Sequence, residues 1–411
     1  MRVARDSVGQ RSETVRRANL AAIANQLHLD GSLSRSELVT RTGLTRSAIR
    51  ALISEFVAAG FVTEERSGPA GTPGRPSPLV IPNPASAVVL GLEISVDSLA
   101  AGLIGFGGIQ HEMVRVERER SHIGATQVVA DLAGLAAPLL ARAPAGSTLI
   151  GVGVAVVGIV RHADGLVRLA PNLGWHDLPL GQMLAAALGV SVPVTVANDA
   201  DLGVLAEHRR GVARGIGDVV YLAGEVGVGG GVLLEGRPLR GAEGYGGEIG
   251  HLQLNPDGRP CGCGSRGCWE TEVGERALLM AAGRPPDGGL VEVDSVLADA
   301  AAGDAAALAA LQRIGQWLGV GISAVVNAFN PSMVVLGGLF ARIYPYVAAT
   351  IGARLQTAAL AAAREHVRVV PAALGSDADV LGAGEIAFEP FLLDPAAWLA
   401  PRDGLVHLAS A

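Results

Sequence analysis

Three cysteines and one histidine form the densest group of metal-binding side chain types in this sequence. Cys261, Cys263 and Cys268 lie within eight positions, are the only cysteines of the chain, and follow His251 by ten residues. An odd number of cysteines so close together argues against a disulfide framework and favours a metal. Three thiolates and one imidazole complete a tetrahedral zinc shell, with no position left for a reactive water. We therefore expect one structural Zn²⁺ per chain; the alternative is three buried thiols.

A second group of functional side chains lies near the N-terminus, on a predicted pair of short helices. Val15–Leu29 has helical apolar spacing, Ser34 and Glu37 have the spacing of a capping box, and Thr45 can cap the helix that follows the turn at Gly43. Apolar residues then recur at helical intervals, at Ile49, Leu52, Ile53 and Phe56. This period leaves three side chains on the outer face, where a recognition helix reaches base edges: Arg46, Ser47 and Arg50.

A predicted two-stranded wing follows this helix pair. Gly60 ends the second helix, 61–65 reads as a strand, and the Gly- and Pro-rich stretch 68–78 leads to a returning strand at 79–81. Arg75, in the extended Gly-Arg-Pro of this stretch, is suited to a narrow minor groove. The pattern indicates a winged helix-turn-helix that binds double-stranded DNA; the alternative is a plain three-helix bundle.

Charge is divided unevenly along the chain, in agreement with that prediction. Residues 1–82 contain 11 Arg and 7 acidic residues, a net +4, whereas the whole chain of 411 residues has a net charge of −7. A basic segment before an acidic body suggests that only the first part meets a polyanion. The chain lacks an uninterrupted apolar stretch of about 20 residues, and its N-terminus lacks the apolar core of a signal peptide. We therefore expect a cytoplasmic protein with no membrane partner.

After a short predicted hinge at 83–85, strands alternate with helices over more than 300 residues. This pattern predicts an α/β body of two lobes around a cleft. The predicted strands are 88–94, 98–104, 110–116, 149–156, 192–197, 218–223, 230–234 and 333–336, and the predicted helices are 125–141, 201–210 and 305–329.

Five motifs make the chain resemble the ROK family, which joins sugar-responsive repressors and sugar kinases. They are APNLGW at 170–175, ANDAD at 197–201, GVGGG at 227–231, GYGGEIGH at 244–251 and CGCGSRGCWE at 261–270. The resemblance covers essentially the whole chain. It implies an actin-like, hexokinase-type (ribonuclease H-like) body and zinc on the same four residues. It also divides the chain into the winged helix-turn-helix at 1–82, a first lobe at 83–198 joined by 378–411, and a second lobe at 199–377.

The resemblance also implies a sugar site. The residues that would hold the sugar are Asn172, Asn198, Asp199, Glu248, His251 and Glu270. In the family's kinases, the residue that matches Asp199 is the general base. Each residue also has a simpler interpretation: Asn198 and Asp199 could cap a helix, and Glu270 could be a surface acid. Because His251 follows Glu248 by three residues, zinc binding by His251 would fix the loop that presents Glu248.

The phosphate-binding loops of the family's kinases are altered in this chain. Where they carry Asp-x-Gly-Gly-Thr, this sequence has Glu93-Ile94-Ser95-Val96-Asp97, and where they carry Gly-Thr-Gly it has Glu225-Val226-Gly227. Both Thr hydroxyls are lost, and we expect Asp97 and Glu225 to repel ATP, each by up to about 4 kcal/mol at close range. The body is therefore predicted to be a non-enzyme, with Asp199 a sugar ligand and not a catalytic base.

Together these observations predict a zinc-containing, sugar-responsive regulator, a repressor, with a sugar or sugar phosphate as effector. A homodimer or homotetramer would suit a palindromic operator. One alternative is an ATP-dependent hexose kinase with an attached DNA-binding domain. Another is a constitutive DNA-binding protein whose body only dimerises.

Overall fold

A computed structural model of the protein describes residues 6–65, 77–120 and 124–399. Its N-terminal region consists of α1 (Asp6–Asp30), β1 (Leu33–Ser34), α2 (Arg35–Thr42), α3 (Arg46–Ala58), β2 (Val62–Glu65) and β3 (Leu79–Pro82). The predicted capping box is present: Ser34 Oγ accepts from the Glu37 amide at 3.2 Å, and the Glu37 carboxylate accepts from the Ser34 amide at 2.7 Å. Thr45 caps α3 with a single bond, because its Oγ1 accepts from the Ala48 amide at 3.2 Å.

Antiparallel pairing of β2 with β3 makes the wing, and β1 pairs with the other edge of β3. The tip of the wing, with Arg75, lies outside the described residues. The four apolar side chains predicted to face the core from α3 are all buried: Ile49, Leu52, Ile53 and Phe56. The winged helix-turn-helix is thus the observed N-terminal fold.

The first lobe is a five-stranded mixed sheet in the order β11-β7-β4-β5-β6, beside a small sheet of order β10-β9-β8. Its elements are β4 (Ala87–Ile94), β5 (Ser98–Gly105), β6 (Ile109–Glu117), α4 (Ala125–Ala141), β7 (Thr148–Val156), β8 (Ile159–Arg161), β9 (Leu166–Ala170), β10 (Trp175–Leu178), α5 (Leu180–Leu188) and β11 (Val194–Asn198). The central strands are apolar on both faces and fully buried, as expected for strands covered on both sides.

The second lobe is a five-stranded sheet of order β14-β13-β12-β15-β16. Its elements, with the C-terminal helices, are α6 (Asp199–Arg209), β12 (Val219–Gly224), β13 (Val228–Leu234), β14 (Arg237–Pro238), α7 (Glu270–Val273), α8 (Glu275–Ala281), α9 (Gly289–Ala301), α10 (Ala305–Phe329), β15 (Met333–Gly338), α11 (Leu339–Ala358), α12 (Ala361–Arg364), β16 (Arg368–Pro371), α13 (Ala378–Leu393) and α14 (Ala396–Leu399). Helices α10 and α11 pack together on this sheet around one large apolar core.

Helix α13 returns to the first lobe and packs on its sheet. Two strand glycines make this close approach possible. A Cβ atom at Gly91 would lie 2.4 Å from the Val380 carbonyl oxygen, and one at Gly153 would lie 1.8 Å from that of Ala383. Both contacts are far inside van der Waals distance, so a larger residue at either position would push the helix off the sheet.

The N-terminal region contacts the body beyond the predicted hinge at 83–85, because α1 shares a core with the body. Leu20, Ile23 and Leu27 of α1 belong to the same buried cluster as Phe388 and Phe391 of α13. The apolar periodicity of α1 predicted that a face would be buried but not which partner would cover it. Helices in the described part of the chain lack the length and apolar character that a bilayer crossing requires.

Candidate functional site

A cavity of about 550 Å³ lies between the two lobes. It is lined by the ends of β11 and β12, the turn after β9 and the loop that carries the cysteines. Its lining includes all the residues predicted to hold a sugar: Asn172, Asn198, Asp199, Glu248, His251 and Glu270. The structure therefore brings together six side chains that are spread over almost 100 positions of the sequence.

The four predicted metal ligands also converge. The ligand atoms of His251, Cys261, Cys263 and Cys268 all lie within 4.8 Å of one another. Cys263 Sγ lies 3.7 Å from Cys268 Sγ, and Cys261 Sγ lies 3.6 Å from His251 Nδ1. A tetrahedron with ordinary zinc bond lengths has S–S edges of about 3.8 Å and S–N edges of about 3.6 Å. The donor set and its spacing fit a closed tetrahedral zinc site.

The backbone of the cysteine loop fixes this arrangement. The Cys261 amide donates to the Ser265 carbonyl at 2.9 Å, and Gln253 forms an isolated β-bridge with Cys268. Gly267 has a φ of +68°, and a Cβ there would lie 1.6 Å from the Asn255 carbonyl oxygen. Trp269 is fully buried, and its indole N–H donates to the Trp317 carbonyl at 2.9 Å, which anchors the end of the loop on α10.

Asn198 has the simpler of its two predicted roles, because it caps α6. Its Oδ1 accepts from the amides of Ala200 at 2.9 Å and Asp201 at 3.2 Å, and its Nδ2 donates to the Gly158 carbonyl at 3.0 Å. Asp199 is the first residue of α6 and only 9% exposed. Burial, with a smaller contribution from the nearby Glu248 carboxylate, raises the pKa of Asp199 to about 7.

Glu248 and Glu270 stand on either side of His251. Glu248 Oε2 lies 4.0 Å from His251 Nε2, and Glu270 Oε1 lies 3.7 Å from Nδ1 of the same ring. Glu270 also accepts from Cys261 Sγ at 2.8 Å, so it is part of the cluster and not an isolated surface acid. Burial raises the pKa of Glu248. Because both carboxyls flank His251, a metal on its ring would also fix the position of the polar cavity wall.

The charges around Asp97 and Glu225, in the segments 93–97 and 225–227, differ from those predicted from the sequence. Burial raises the pKa of Glu225 to about 8, which favours the protonated, uncharged form of this side chain. Asp97 is paired with Arg120, which lies 2.9 Å away. A cation therefore compensates Asp97, which reduces the repulsion of an anion that was expected from the two acidic residues. Sequence spacing gave no signal of the compensating cation, because Arg120 lies on the segment after β6.

The same arginine joins the two lobes. Arg120 donates to both carboxylate oxygens of Glu275, at 2.5 and 2.8 Å, and Glu275 is the buried first residue of α8 in the second lobe. Ser95 Oγ makes a further contact across the lobes, at 3.4 Å from Glu225. Val96, which stands where the kinases have glycine, is buried in the cavity wall. Ion pairing and apolar packing thus occupy this part of the cleft.

The predicted reading face of the recognition helix is exposed. Arg46, Ser47 and Arg50 all lie on the solvent side of α3, opposite the buried face of this helix. Ser47 Oγ lies 3.1 Å from Thr45 Oγ1 at the start of the helix. Arg46 and Arg50 therefore project into solvent from the first turns of α3, which suits insertion of the helix into a major groove.

Comparison with known proteins gives the family. Residues 89–389 match the ROK family over most of the chain. The chain belongs to the ROK family. It is 27% identical to the xylose repressor of Bacillus subtilis (strain 168) over 379 residues, which covers 92% of this chain and 97% of that protein. It is 32% identical to a glucokinase of Halalkalibacterium halodurans over 252 residues, 58% of this chain and 76% of that one.

The similar solved structures include both a regulator and a kinase of this family. A ROK family transcriptional regulator, a homologue of the E. coli MLC protein, superimposes with a TM-score of 0.77 at 25% identity and covers 94% of this chain and 99% of its own. A ROK family glucokinase from Streptomyces griseus, in complex with glucose and AMPPNP, gives a TM-score of 0.64 at 27% identity and covers 73% of this chain and 98% of its own. The predicted fold class, a winged helix-turn-helix before a two-lobed sugar-kinase-like body, is confirmed.

Proposed function

We propose that this protein is a sugar-responsive transcriptional repressor that binds operator DNA through its winged helix-turn-helix. The observation that carries the proposal is the joint presence of an exposed recognition helix and a polar cavity between the lobes. The xylose repressor of Bacillus subtilis matches 92% of this chain, whereas the glucokinase match covers 58% of it. Arg46, Ser47 and Arg50 read the major groove, and Arg75 reads the minor groove.

The effector is an uncharged sugar in preference to a sugar phosphate. Carboxyl groups dominate the polar lining, from Asp199, Glu225, Glu248 and Glu270. They accept hydrogen bonds from sugar hydroxyls, whereas a phosphate would need unengaged cations. Of the two arginines that line the cavity, Arg259 donates to the Thr271 carbonyl and lies 3.5 Å from Glu272. The other, Arg276, is an exposed residue at the mouth of the cavity with Asp287 at 3.3 Å.

The body does not transfer phosphate. The loops at Glu93–Asp97 and Glu225–Gly227 lack the hydroxyl donors of the family's kinases, and the Arg120–Glu275 ion pair connects the lobes beside them. Asp199 then serves as a sugar ligand. A structural zinc ion, one per chain, is held by His251 and the three cysteines and fixes the cavity wall beside Glu248 and Glu270.

The protein acts in the cytoplasm as a homodimer or homotetramer, since two-fold symmetry would match a palindromic operator. The proposed division of the chain is 1–82 for the DNA-binding domain, 83–198 with 378–411 for the first lobe, and 199–377 for the second lobe. The packing of α13 on the first sheet supports the assignment of the C-terminal segment.

The test is a titration of the protein's own upstream DNA, at fixed salt, with and without members of a panel of sugars and sugar phosphates. We expect one neutral sugar to change the operator affinity by a factor of about 5 to 150. Tight DNA binding that no panel member changes, together with no thermal shift on sugar addition, would instead support a constitutive binder whose body only dimerises. Steady ATP turnover with a hexose, lost on Asp199→Asn, would support the kinase alternative.

A further inference from the structure

Helix α6 connects the sugar cavity with the N-terminal helix. Its first residue, Asp199, lines the cavity, and its last residue, Arg209, is followed by Arg210 at the base of α1. The 11 residues of α6 span about 16 Å as a rigid element. Along this length α6 packs against α13 and against strand β13. A displacement at the cavity end is therefore transmitted to the other end as movement of the whole helix.

Arginines at and beyond the end of α6 hold the C-terminus of α1. Arg210 Nη1 donates to the His28 carbonyl at 2.8 Å, and Arg214 Nη2 donates to the Leu29 carbonyl at 3.0 Å. These carbonyls belong to the last turn of α1, which has no further helical donors. Cations at this end also interact favourably with the helix dipole. The body thus supplies the cap of α1 from the segment that α6 positions.

A buried ion pair stabilises the same joint. Arg210 Nε lies 2.7 Å from Glu385 Oε1 of α13, and His28 Nε2 lies 3.1 Å from Glu385 Oε2. The Gly107 amide donates to His28 Nδ1 at 3.2 Å, so the imidazole carries its proton on Nε2 and donates it to Glu385. Among the described residues, Arg210 Nη2 is a buried donor without a hydrogen-bond partner. The hydrogen bonding of this joint is therefore incomplete in the structure.

Helix α1 in turn holds the DNA-reading helices. Arg16 of α1 pairs with Glu55 of α3, with 3.3 Å between Nε and Oε1. Asp30, at the end of α1, accepts from Arg41 of α2 and lies 3.1 Å from Arg214 of the body. One carboxylate therefore joins the helix-turn-helix to the segment after α6.

We infer that α6 couples sugar binding to DNA binding, with Arg210 and Arg214 as the positioning residues that pass its movement to α1. The inference rests on the proposed function and adds to it the route by which the effector acts. Asp199 binds a sugar hydroxyl at one end of α6, and the displaced helix moves the cap of α1 at the other. Because α1 carries α2 and α3, the spacing of paired recognition helices changes, and operator affinity changes with it.

The test compares the ratio of operator affinities without and with sugar, using xylose and glucose as probes, in three variants of the full-length protein. Arg214→Gln removes the exposed contact to the Leu29 carbonyl of α1. The double variant Arg210→Lys/Arg214→Gln also changes the buried contact to the His28 carbonyl. Arg17→Gln is the matched control, because Arg17 pairs α1 with Asp394, which follows α13 and belongs neither to α6 nor to the segment after it. Calorimetry without DNA and DNA titration without sugar measure the two basal affinities, and thermal unfolding checks the fold.

We expect Arg214→Gln to lower the ratio about threefold and the double variant to bring it close to one, with both basal affinities within about twofold of wild type. Arg17→Gln should keep the wild-type ratio. A wild-type ratio in a folded Arg214→Gln protein, or an equal loss in Arg17→Gln, would overturn the route through α6. A wild-type protein that binds operator without any response to sugar would overturn the proposed function, and the coupling with it.

Discussion

Glu225→Gln removes one titrating carboxyl from the cleft while keeping the shape of its side chain. Burial raises the pKa of Glu225 to about 8 in the folded protein, whereas the ordinary value in an unfolded chain is about 4.3. Between these two values the folded protein keeps a proton that the unfolded chain has released. The free energy of unfolding therefore decreases as pH rises through this window, and the contribution is fully present only below the unfolded value.

The two pKa values set the size of the effect. For this group alone, the free energy of unfolding should fall by about 2 kcal/mol from about pH 5.5 to about pH 7.5. Glutamine cannot ionise, so the difference in stability between variant and wild type should shift in favour of the variant by about 2 kcal/mol from about pH 5.5 to about pH 7.5. The free energy of unfolding of the variant should still decrease partly with rising pH, because burial and the Asp199 carboxylate raise the pKa of Asp201 to about 7.

Denaturant unfolding of wild type and variant at the two pH values measures this difference. Glu117→Gln is the control for the same chemical replacement, because Glu117 ends β6 as an exposed residue. A Glu225→Gln protein whose stability differs from wild type by the same amount at both pH values would refute the argument. Glu225 would then be ionised in the fold, and its charge would be balanced by contacts other than those described.

The remaining predictions concern the metal, the chemistry and the DNA. Cys263→Ser should lower the zinc content from about one per chain and weaken the sugar response, since His251 loses its anchor; metal analysis and calorimetry check both, and a stable, responsive, zinc-free wild type would contradict the assignment. Hexose phosphorylation with ATP and magnesium should stay at background, and turnover that Asp199→Asn abolishes would show the opposite. Arg50→Ala should lose about 1–3 kcal/mol of discrimination between operator variants, and Arg75→Ala should weaken binding most at sites with A·T-rich flanks; unaltered affinity in both would show that the assigned reading face is wrong.

The sequence was most informative where local chemistry alone decides the structure. The helices Ala125–Ala141 and Ala305–Phe329 begin and end at the predicted residues, and α3 buries the four predicted side chains. Helix α6 begins at Asp199, two residues before the predicted start, because Asn198 already caps it. The strand predicted from 192 begins at Val194, after Pro193, which has no N–H for a ladder.

Sequence patterns did not predict which residues far apart in the chain form ion pairs or pack together. Arg120 and Glu275 are 155 positions apart, and neither lies in a motif that would link them. Helix α13 was not predicted as a helix because Gly382 and Gly384 interrupt its pattern. The fold uses these glycines for close contact, since a Cβ at Gly382 would lie 2.1 Å from the Leu202 carbonyl oxygen. The motifs therefore predicted which residues meet in the cleft. The ion pairs of Arg120 with Asp97 and Glu275 could be identified only from the structure.

The ion pair between Arg120 and Glu275 limits how a bound sugar can move the two lobes. Arg120 already connects the two lobes through the bidentate pair with Glu275, so a bound sugar meets lobes that are held together by this pair. A ligand shifts an equilibrium only by its difference in affinity for the two states. Wide opening of the lobes would have to separate Arg120 from the buried Glu275 carboxylate, which is costly, whereas a small movement of α6 leaves this pair intact. The smaller movement, that of α6 between Asp199 and Arg210, is thus the one that sugar binding is expected to select.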